Sequence, residues 1–444
     1  LPHPRAVSRR LLAVSSALVL IKSTVLALAP GAAAEPATPV AYPPGATATR
    51  FTGLAFDACT APPAATLDAW RASSYRALAV YVSGANRTCR QPELTSSWVT
   101  KVSRLGWRLL PVHKGLQPPC GARPSDTKIS RTPATARAQG TAAARQATDQ
   151  AKTLGMLPGS ALYNDIENYS QTDSGCRTAV LSYLSAWTKE LHRTGYVSGV
   201  YMNLTLGARQ LAAAYASTTY ARPDALWIAR YDDASSLTGW SGITDNAWAV
   251  HQRAKQYRGS HDERHGGVTV NVDSDRVDAP VATVAYPYTA TGTDRAQARG
   301  GPSADAPVTT SYAAGAALRV VCQTPGSTVA TTPVWDRLAD GSYVSDHYVS
   351  TPSATGYSAP LPRCAQPFQV TAAHGLTERT GPGSGYAAAG SLPQGALAWV
   401  TCQRSGAKVR ANTVWDRLDD GRYVTDQYVA TPAAGAYSPP LPRC

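Results

Sequence analysis

Ala161-Leu-Tyr-Asn-Asp165-Ile-Glu167 is a short apolar run that ends on two carboxylates. Side chains alternate faces along a strand, so Asp165 and Glu167 point the same way, with Cα atoms roughly 6.6 Å apart. Two other apolar runs stop on an acid: Gly53-Leu-Ala-Phe-Asp57 and Val268-Thr-Val-Asn-Val-Asp273. Working outward, strand candidates fall at 52–57, 76–82, 107–113, 161–167, 197–203, 225–231, 247–252 and 268–273. Helix patterns at 66–73, 92–105, 134–154, 176–194 and 207–216 separate them, and Gly106, Gly155 and Gly195 stand where three of these should end. The rhythm predicts an α/β fold over 51–278, a (β/α)8 TIM barrel with its acids at the carboxyl ends of parallel strands.

The chain has 444 residues and a formal net charge of +13, which is room for two or three domains. Residues 1–34 read as an export signal: Ser8-Arg9-Arg10-Leu11-Leu12 opens a basic segment, an apolar stretch runs to Leu28, and Ala32-Ala33-Ala34 offers a cleavage site. The paired arginines suit the twin-arginine route. Lys22 interrupts the apolar run, so no stable membrane span is expected after cleavage, and no other segment is long enough. Removing residues 1–34 takes away Arg5, Arg9, Arg10 and Lys22 and no acid, leaving +9. A basic exported chain would be drawn to anionic wall polymers. The arginines are scattered and no recognition motif accompanies them, so nucleic acid is not an expected partner.

Eight cysteines in an exported chain read as disulfides. Cys322 to Cys364 and Cys402 to Cys444 share one spacing, which favours a bridge inside each of two repeats. Cys59, Cys89, Cys120 and Cys176 allow three pairings. Each follows a successive strand, so Cys59–Cys89 and Cys120–Cys176 are preferred. Without a CxxC pair, a zinc site has no support.

Residues 35–50, rich in Ala, Pro and Thr, form a linker. After the barrel comes a repeat of 80 residues: Val334-Trp335-Asp336-Arg337-Leu338 returns as Val414-Trp415-Asp416-Arg417-Leu418, and Leu361-Pro-Arg-Cys364 as Leu441-Pro-Arg-Cys444. Short Val/Tyr/Trp strands between Asp-Gly and Gly/Pro turns predict two small all-β domains, 285–364 and 365–444. Trp335 and Trp415 belong to their cores.

Glycoside cleavage needs a protonated acid at the leaving oxygen and a second carboxylate at the sugar carbon. Glu167 is the expected acid, its proton held by burial beside Asp165, which stays ionised as stabiliser or nucleophile. Asp57 and Asp273 orient these two or bind sugar hydroxyls. Tyr163, Tyr201, Trp227 and Tyr231 offer stacking faces. Acids at strand ends also cap helices or pair with arginines, but a same-face D-x-E beside two more strand-end aspartates favours a functional cluster. His261-Asp-Glu-Arg-His265 has the wrong spacing for a zinc-protease helix and lies between glycines, so no metal is expected there.

Phe56-Asp57, Asp165-Ile-Glu167, Trp227-Ile-Ala-Arg-Tyr231, His251-Gln252 and Val272-Asp273 resemble the family-25 glycoside hydrolases, TIM-barrel lysozymes that cut the muramic acid linkage of peptidoglycan. Gly53-Leu-Ala-Phe-Asp57-Ala-Cys59-Thr60-Ala61-Pro62, Tyr81-Val-Ser-Gly84 and Gly106-Trp107-Arg-Leu-Leu-Pro111 resemble a related exported group, the glycoside hydrolase-like domains of actinobacteria. The resemblance implies Glu167 as general acid, Asp165 as its partner, Asp57 and Asp273 as supporting acids, and Gln252 with the aromatic residues around the substrate. It departs from the lysozymes at Cys59, where they carry serine, which remodels the rim of the cleft. The repeats resemble bacterial SH3-type domains, with Gly381-Pro382 after Leu376-Thr-Glu-Arg379 as their opening segment and Gly300-Gly301-Pro302 in the first copy.

Together these readings predict a secreted or wall-associated monomer that hydrolyses or binds a cell-wall glycan such as peptidoglycan, with no cofactor. A catalytically silent, wall-tethered barrel and a purely structural surface protein are the competing expectations.

Overall fold

The computed structural model describes residues 47–444 except 122, 293, 294, 354, 434 and 440. The predicted leader and all but the last residues of the linker lie outside the described residues. Eight strands close a barrel: β1 Thr49–Asp57, β2 Tyr75–Ser83, β3 Arg108–His113, β4 Ala161–Ile166, β5 Val197–Asn203, β6 Ala225–Ala229, β7 Arg253–His265 and β8 Val268–Val281. Helices α1 Ala64–Ala69, α2 Ser96–Arg104, α3 Pro133–Thr153, α4 Ser174–Arg193 and α5 Arg209–Ala213 follow the first five strands in turn. Gly106, Gly155 and Gly195 all adopt positive φ behind their helices.

The last three strands depart from the expected (β/α)8 pattern. No helix joins β6 to β7 or β7 to β8. Strand β8 runs antiparallel to both its neighbours, β7 and β1, through a hairpin that turns at Gly266-Gly267. The architecture is therefore five strand–helix units followed by three strands. The seventh strand begins at Arg253, not within 247–252, because Trp248, Val250 and His251 take left-handed backbone (φ 47, 48 and 62°) and break the extended chain. That apolar run is a turn that buries Trp248. His261, Glu263 and His265 lie at alternate positions of β7, where Glu263 accepts from both histidines at 2.8 Å.

Small residues line the barrel interior and leave room for two large rings. Ala55, Ala77, Ala79, Ala161, Ala225, Ala254 and Ala279 are buried there with Tyr163 and Trp227. A Cβ on Gly199 would lie 2.4 Å from the Tyr163 ring, so the ring needs glycine on the next strand. Outside, α3 presents an alanine face to α4, and Gly140 brings the backbones together: its Cβ would sit 2.1 Å from the Tyr183 carbonyl. Disulfides join Cys59 to Cys89, in the loops after β1 and β2, and Cys120, in the loop after β3, to Cys176 in the first turn of α4.

The repeats form two six-stranded antiparallel sheets. In the first, β9 Tyr286–Thr289, β10 Ala296–Arg299, β11 Val308–Tyr312, β12 Ala317–Val329, β13 Thr332–Leu338 and β14 Tyr343–Ser345 are ordered β11-β10-β14-β13-β12-β9. In the second, β15 Gln366–Gln369, β16 Leu376–Arg379, β17 Ala388–Leu392, β18 Leu397–Val409, β19 Asn412–Leu418 and β20 Tyr423–Thr425 are ordered β15-β18-β19-β20-β16-β17. Trp335 and Trp415 are buried, each donating from Nε1 to a backbone carbonyl at 2.8 Å. Cys322–Cys364 and Cys402–Cys444 staple the two units.

The second module closes the base of the barrel. Leu397 and Trp399 pack with Ala48 and the inward residues Val197, Ala225 and Val281. Arg50 on β1 donates to both oxygens of Asp419, at 2.6 and 3.0 Å, and lies 3.1 Å from His251 Nδ1, which is 2.7 Å from Asp278. A bidentate guanidinium–carboxylate pair of low exposure is a strong contact. Arg50→Met is expected to cost about 2 kcal/mol, measured by urea unfolding with Lys408→Met as an exposed control. Equal midpoints for the two variants would remove this pair from the account.

Candidate active site

Alternation carries a layer of polar side chains to the mouth of the barrel, above Tyr163 and Trp227. Along β4 the inward positions are Tyr163 and Asp165, with Glu167 next beyond the strand. Asp165 is buried, whereas the side chain of Glu167 is 32% exposed. Burial, invoked above for Glu167, thus falls on Asp165. Lys114, one residue past β3, donates from Nζ to Asp165 Oδ2 at 2.9 Å and also to Glu167 Oε1. Burial pushes the Asp165 carboxyl up to about 6, against the pull of the Lys114 charge and with that of Glu167. Burial also works against the Lys114 charge, but the two acids outweigh it and hold its ammonium above the usual value.

On the opposite side, Asp57 ends β1 and pairs in register with Asp273 on β8. Because β8 is antiparallel, Asp273 reaches the mouth from mid-strand and not from a carboxyl end. Gln256 on β7 donates from Nε2 to Asp57 Oδ2 at 2.6 Å and to Asp273 Oδ2 at 3.2 Å. Its Oε1 accepts from Tyr201 at 2.8 Å and Tyr231 at 2.9 Å. Burial, then the Asp273 charge, pushes Asp57 up to about 8, so this carboxyl holds its proton at neutral pH. Burial raises Asp273 as well, and puts Asp275, which accepts from Trp227 Nε1 at 3.0 Å, well above the carboxylate range. Burial raises the Tyr81 hydroxyl, and the charges of Asp57, Asp165, Glu167 and Asp273 raise it further.

The structure therefore brings Asp57, Asp165, Glu167, Asp273, Tyr201 and Tyr231 to one end of the barrel. Tyr231 is 63% exposed at its rim. Three other residues expected at the substrate sit elsewhere. Tyr163 is fully buried inside the barrel and donates to the Pro280 carbonyl at 2.7 Å. Trp227 is also interior. Gln252 precedes β7 at the barrel's base and donates to the Asp224 carbonyl at 2.6 Å. Sequence reasoning missed Lys114, Gln256 and Tyr81. Extending the inward alternation Leu110, Val112, Lys114 and Ala77, Ala79, Tyr81 would have found two of them; Gln256 was hidden by the misplaced seventh strand. Among the described residues no group of three or more His, Cys, Asp or Glu side chains is placed to hold a metal ion.

Residues 68–277 match the family model of the Rv2525c-like, glycoside hydrolase-like domain. The barrel carries the whole of this match, to a glycoside hydrolase-like domain. Asp165, Glu167 and Asp273 of this domain lie within the match, and Asp57 precedes it. Among solved structures, the chain is similar to the Tat-secreted protein Rv2525c of Mycobacterium tuberculosis, with 18% identity over 51% of this chain and 96% of that one, at a TM-score of 0.36. The modular autolysin LytC of Streptococcus pneumoniae aligns at 14% identity over 50% of this chain and 46% of that one, TM-score 0.34. The Clostridium perfringens spore cortex lytic enzyme SleM aligns at 12% identity over 77% and 84%, TM-score 0.36. None of the curated proteins matches the chain. Among the described residues no helix of the chain is long and apolar enough to cross a membrane.

Proposed function

We propose that the barrel is an exported glycoside hydrolase that cuts a β-linked cell-wall glycan of the peptidoglycan type. The observation that carries this reading is the meeting of carboxylates from β1, β4 and β8 at one end of a barrel that matches a glycoside hydrolase-like domain. Glu167, the exposed member of its pair, reaches the leaving oxygen as general acid. Asp165, deeper and tied to Lys114, stabilises or attacks the sugar carbon. Asp57, protonated at neutral pH, acts as a hydrogen-bond donor beside Asp273, and Gln256 fixes both. The two β-modules serve as SH3-like wall tethers, and the working unit is a secreted monomer that requires no cofactor and no nucleic acid.

One feature favours a second reading, a glycan-binding barrel without turnover. Lys114 engages both Asp165 and Glu167, so the acid must lose this contact to protonate a leaving group. Incubating the purified chain with peptidoglycan while assaying new reducing ends separates the two. Release supports hydrolysis; retained binding with no release supports the silent barrel. Deleting 285–444 is a poor test of tethering, because it strips Leu397 and Trp399 from the barrel base.

Tyr231 stands at the rim, an exposed ring of the kind that stacks on a sugar. Tyr231→Ala is expected to weaken binding of a soluble wall oligosaccharide about fivefold, near 1 kcal/mol, without lowering the unfolding midpoint. Unchanged affinity by calorimetry would take this ring out of the site.

A further inference from the structure

Where the first β-module meets the barrel, away from the mouth, there is a groove of about 850 Å³. Its walls come from α2, Gly155, the Val284-Ala285 segment that leads into β9, and Arg319 on β12. Lys101, Arg104 and Arg319 line it, and no acidic side chain does. All three are exposed, and among the described residues none of them has a carboxylate partner. Ser96 and Ser97 add hydroxyls at one end, and Val99 and Leu105 an apolar floor.

The repeat shows that this charge is not required for docking. Arg319 and Trp399 hold equivalent positions 80 residues apart, each paired across the sheet with a proline, Pro287 and Pro367. In the second module the position carries a tryptophan buried against the barrel base. In the first it carries an exposed guanidinium facing an open groove. An apolar side chain there would seal the seam as Trp399 does. The seam is instead open and positive, on a chain whose net charge is +13.

We propose that this groove binds a phosphodiester-linked polyanion, the charged wall polymer that such an exported protein would meet. Three unpaired cations along one trough match a chain of spaced negative charges, and alcohol and apolar walls suit the polyol or sugar carbons between them. A lone phosphate would fill a small part of the volume and meet few of the cations. The site does not depend on the chemistry of the barrel mouth.

The test uses the full chain with linear polyphosphate, orthophosphate and polyglutamate as probes, titrated at several salt concentrations. The groove variant carries Lys101→Gln, Arg104→Gln and Arg319→Gln. The control carries Arg137→Gln, Lys189→Gln and Lys408→Gln, which are exposed cations elsewhere. The expected result is polyphosphate binding that weakens at least tenfold in the groove variant, with a salt slope smaller by roughly 2, since each lost phosphate contact removes about 0.7. The control should stay within twofold of the parent. Equal weakening in both variants would overturn the proposal, because net charge alone would then explain binding. Orthophosphate competing as well per phosphate, or polyglutamate binding as tightly, would overturn it too, by removing the polymer or the phosphate. Unfolding midpoints of both variants, expected to match the parent, guard against a folding artefact.

Discussion

Glu167→Gln is expected to lower the release of reducing ends from peptidoglycan by about 10²- to 10⁴-fold, the usual contribution of a positioned acid. Affinity for the same glycan should stay within about threefold. The amide keeps the shape of the side chain and an oxygen for Lys114 Nζ, but its N–H groups are not acidic enough to protonate the leaving oxygen. Glu167 is about a third exposed and lies beyond the end of β4, so the change leaves no cavity and the unfolding midpoint should hold. The readout is initial-rate release by parent and variant at matched bound fraction. Equal rates would remove Glu167 as the acid and turn attention to Asp165, the buried carboxyl of the pair.

The second large effect is on stability against pH. Asp57 ionises near 8 in the folded chain, because burial and the Asp273 charge oppose its anion, against an ordinary value of 3.8. Between these values the native state holds a proton that the unfolded chain has released, so folding stability falls as pH rises through the window. Below pH 4 both states are protonated and the group contributes nothing; above pH 8 the full cost is present. Asp57→Asn removes this titration and keeps a polar partner for Gln256. Relative to the parent, the variant should gain stability from pH 4.5 to 8.5, at most about 1.4 kcal/mol per pH unit and on the order of a few kcal/mol in all. Urea unfolding at the two pH values measures it. Parallel changes in parent and variant would show that Asp57 does not carry the proton.

The parallel part of the barrel was legible because its signals are local. Apolar runs of strand length, helix patterns between them and glycines at helix ends are set by neighbours in sequence, and they placed β1 to β6 within a few residues. The D-x-E pair was readable for the same reason, since strand alternation fixes the face of Glu167 once Asp165 is placed. What failed was non-local. The antiparallel return of β8 depends on pairing with β1, some 220 residues away, and no local pattern announces its direction. Residues 247–252 look like a strand by hydrophobicity, but left-handed backbone at Trp248, Val250 and His251 turns them into the approach to β7. The glutamine of that run, Gln252, lies at the base, whereas Gln256, on the strand proper, bridges two acids at the mouth. Lys114 escaped because a lysine after an apolar strand reads as a solvated end, whereas here two carboxylates hold it nearly buried. Aromatic content could not separate Tyr163 and Trp227, which fill the barrel, from Tyr231, which stands at its rim.

The most direct measurement is a crystal structure of the Glu167→Gln variant soaked with an oligosaccharide of alternating N-acetylated amino sugars. The account predicts the sugar chain across the barrel mouth, with a glycosidic oxygen about 3 Å from the residue-167 amide, Tyr231 against a ring, and Asp57 and Asp273 facing hydroxyls. A sugar seated only on the β-modules, or Lys114 still bound to residues 165 and 167 with the glycan elsewhere, would contradict it.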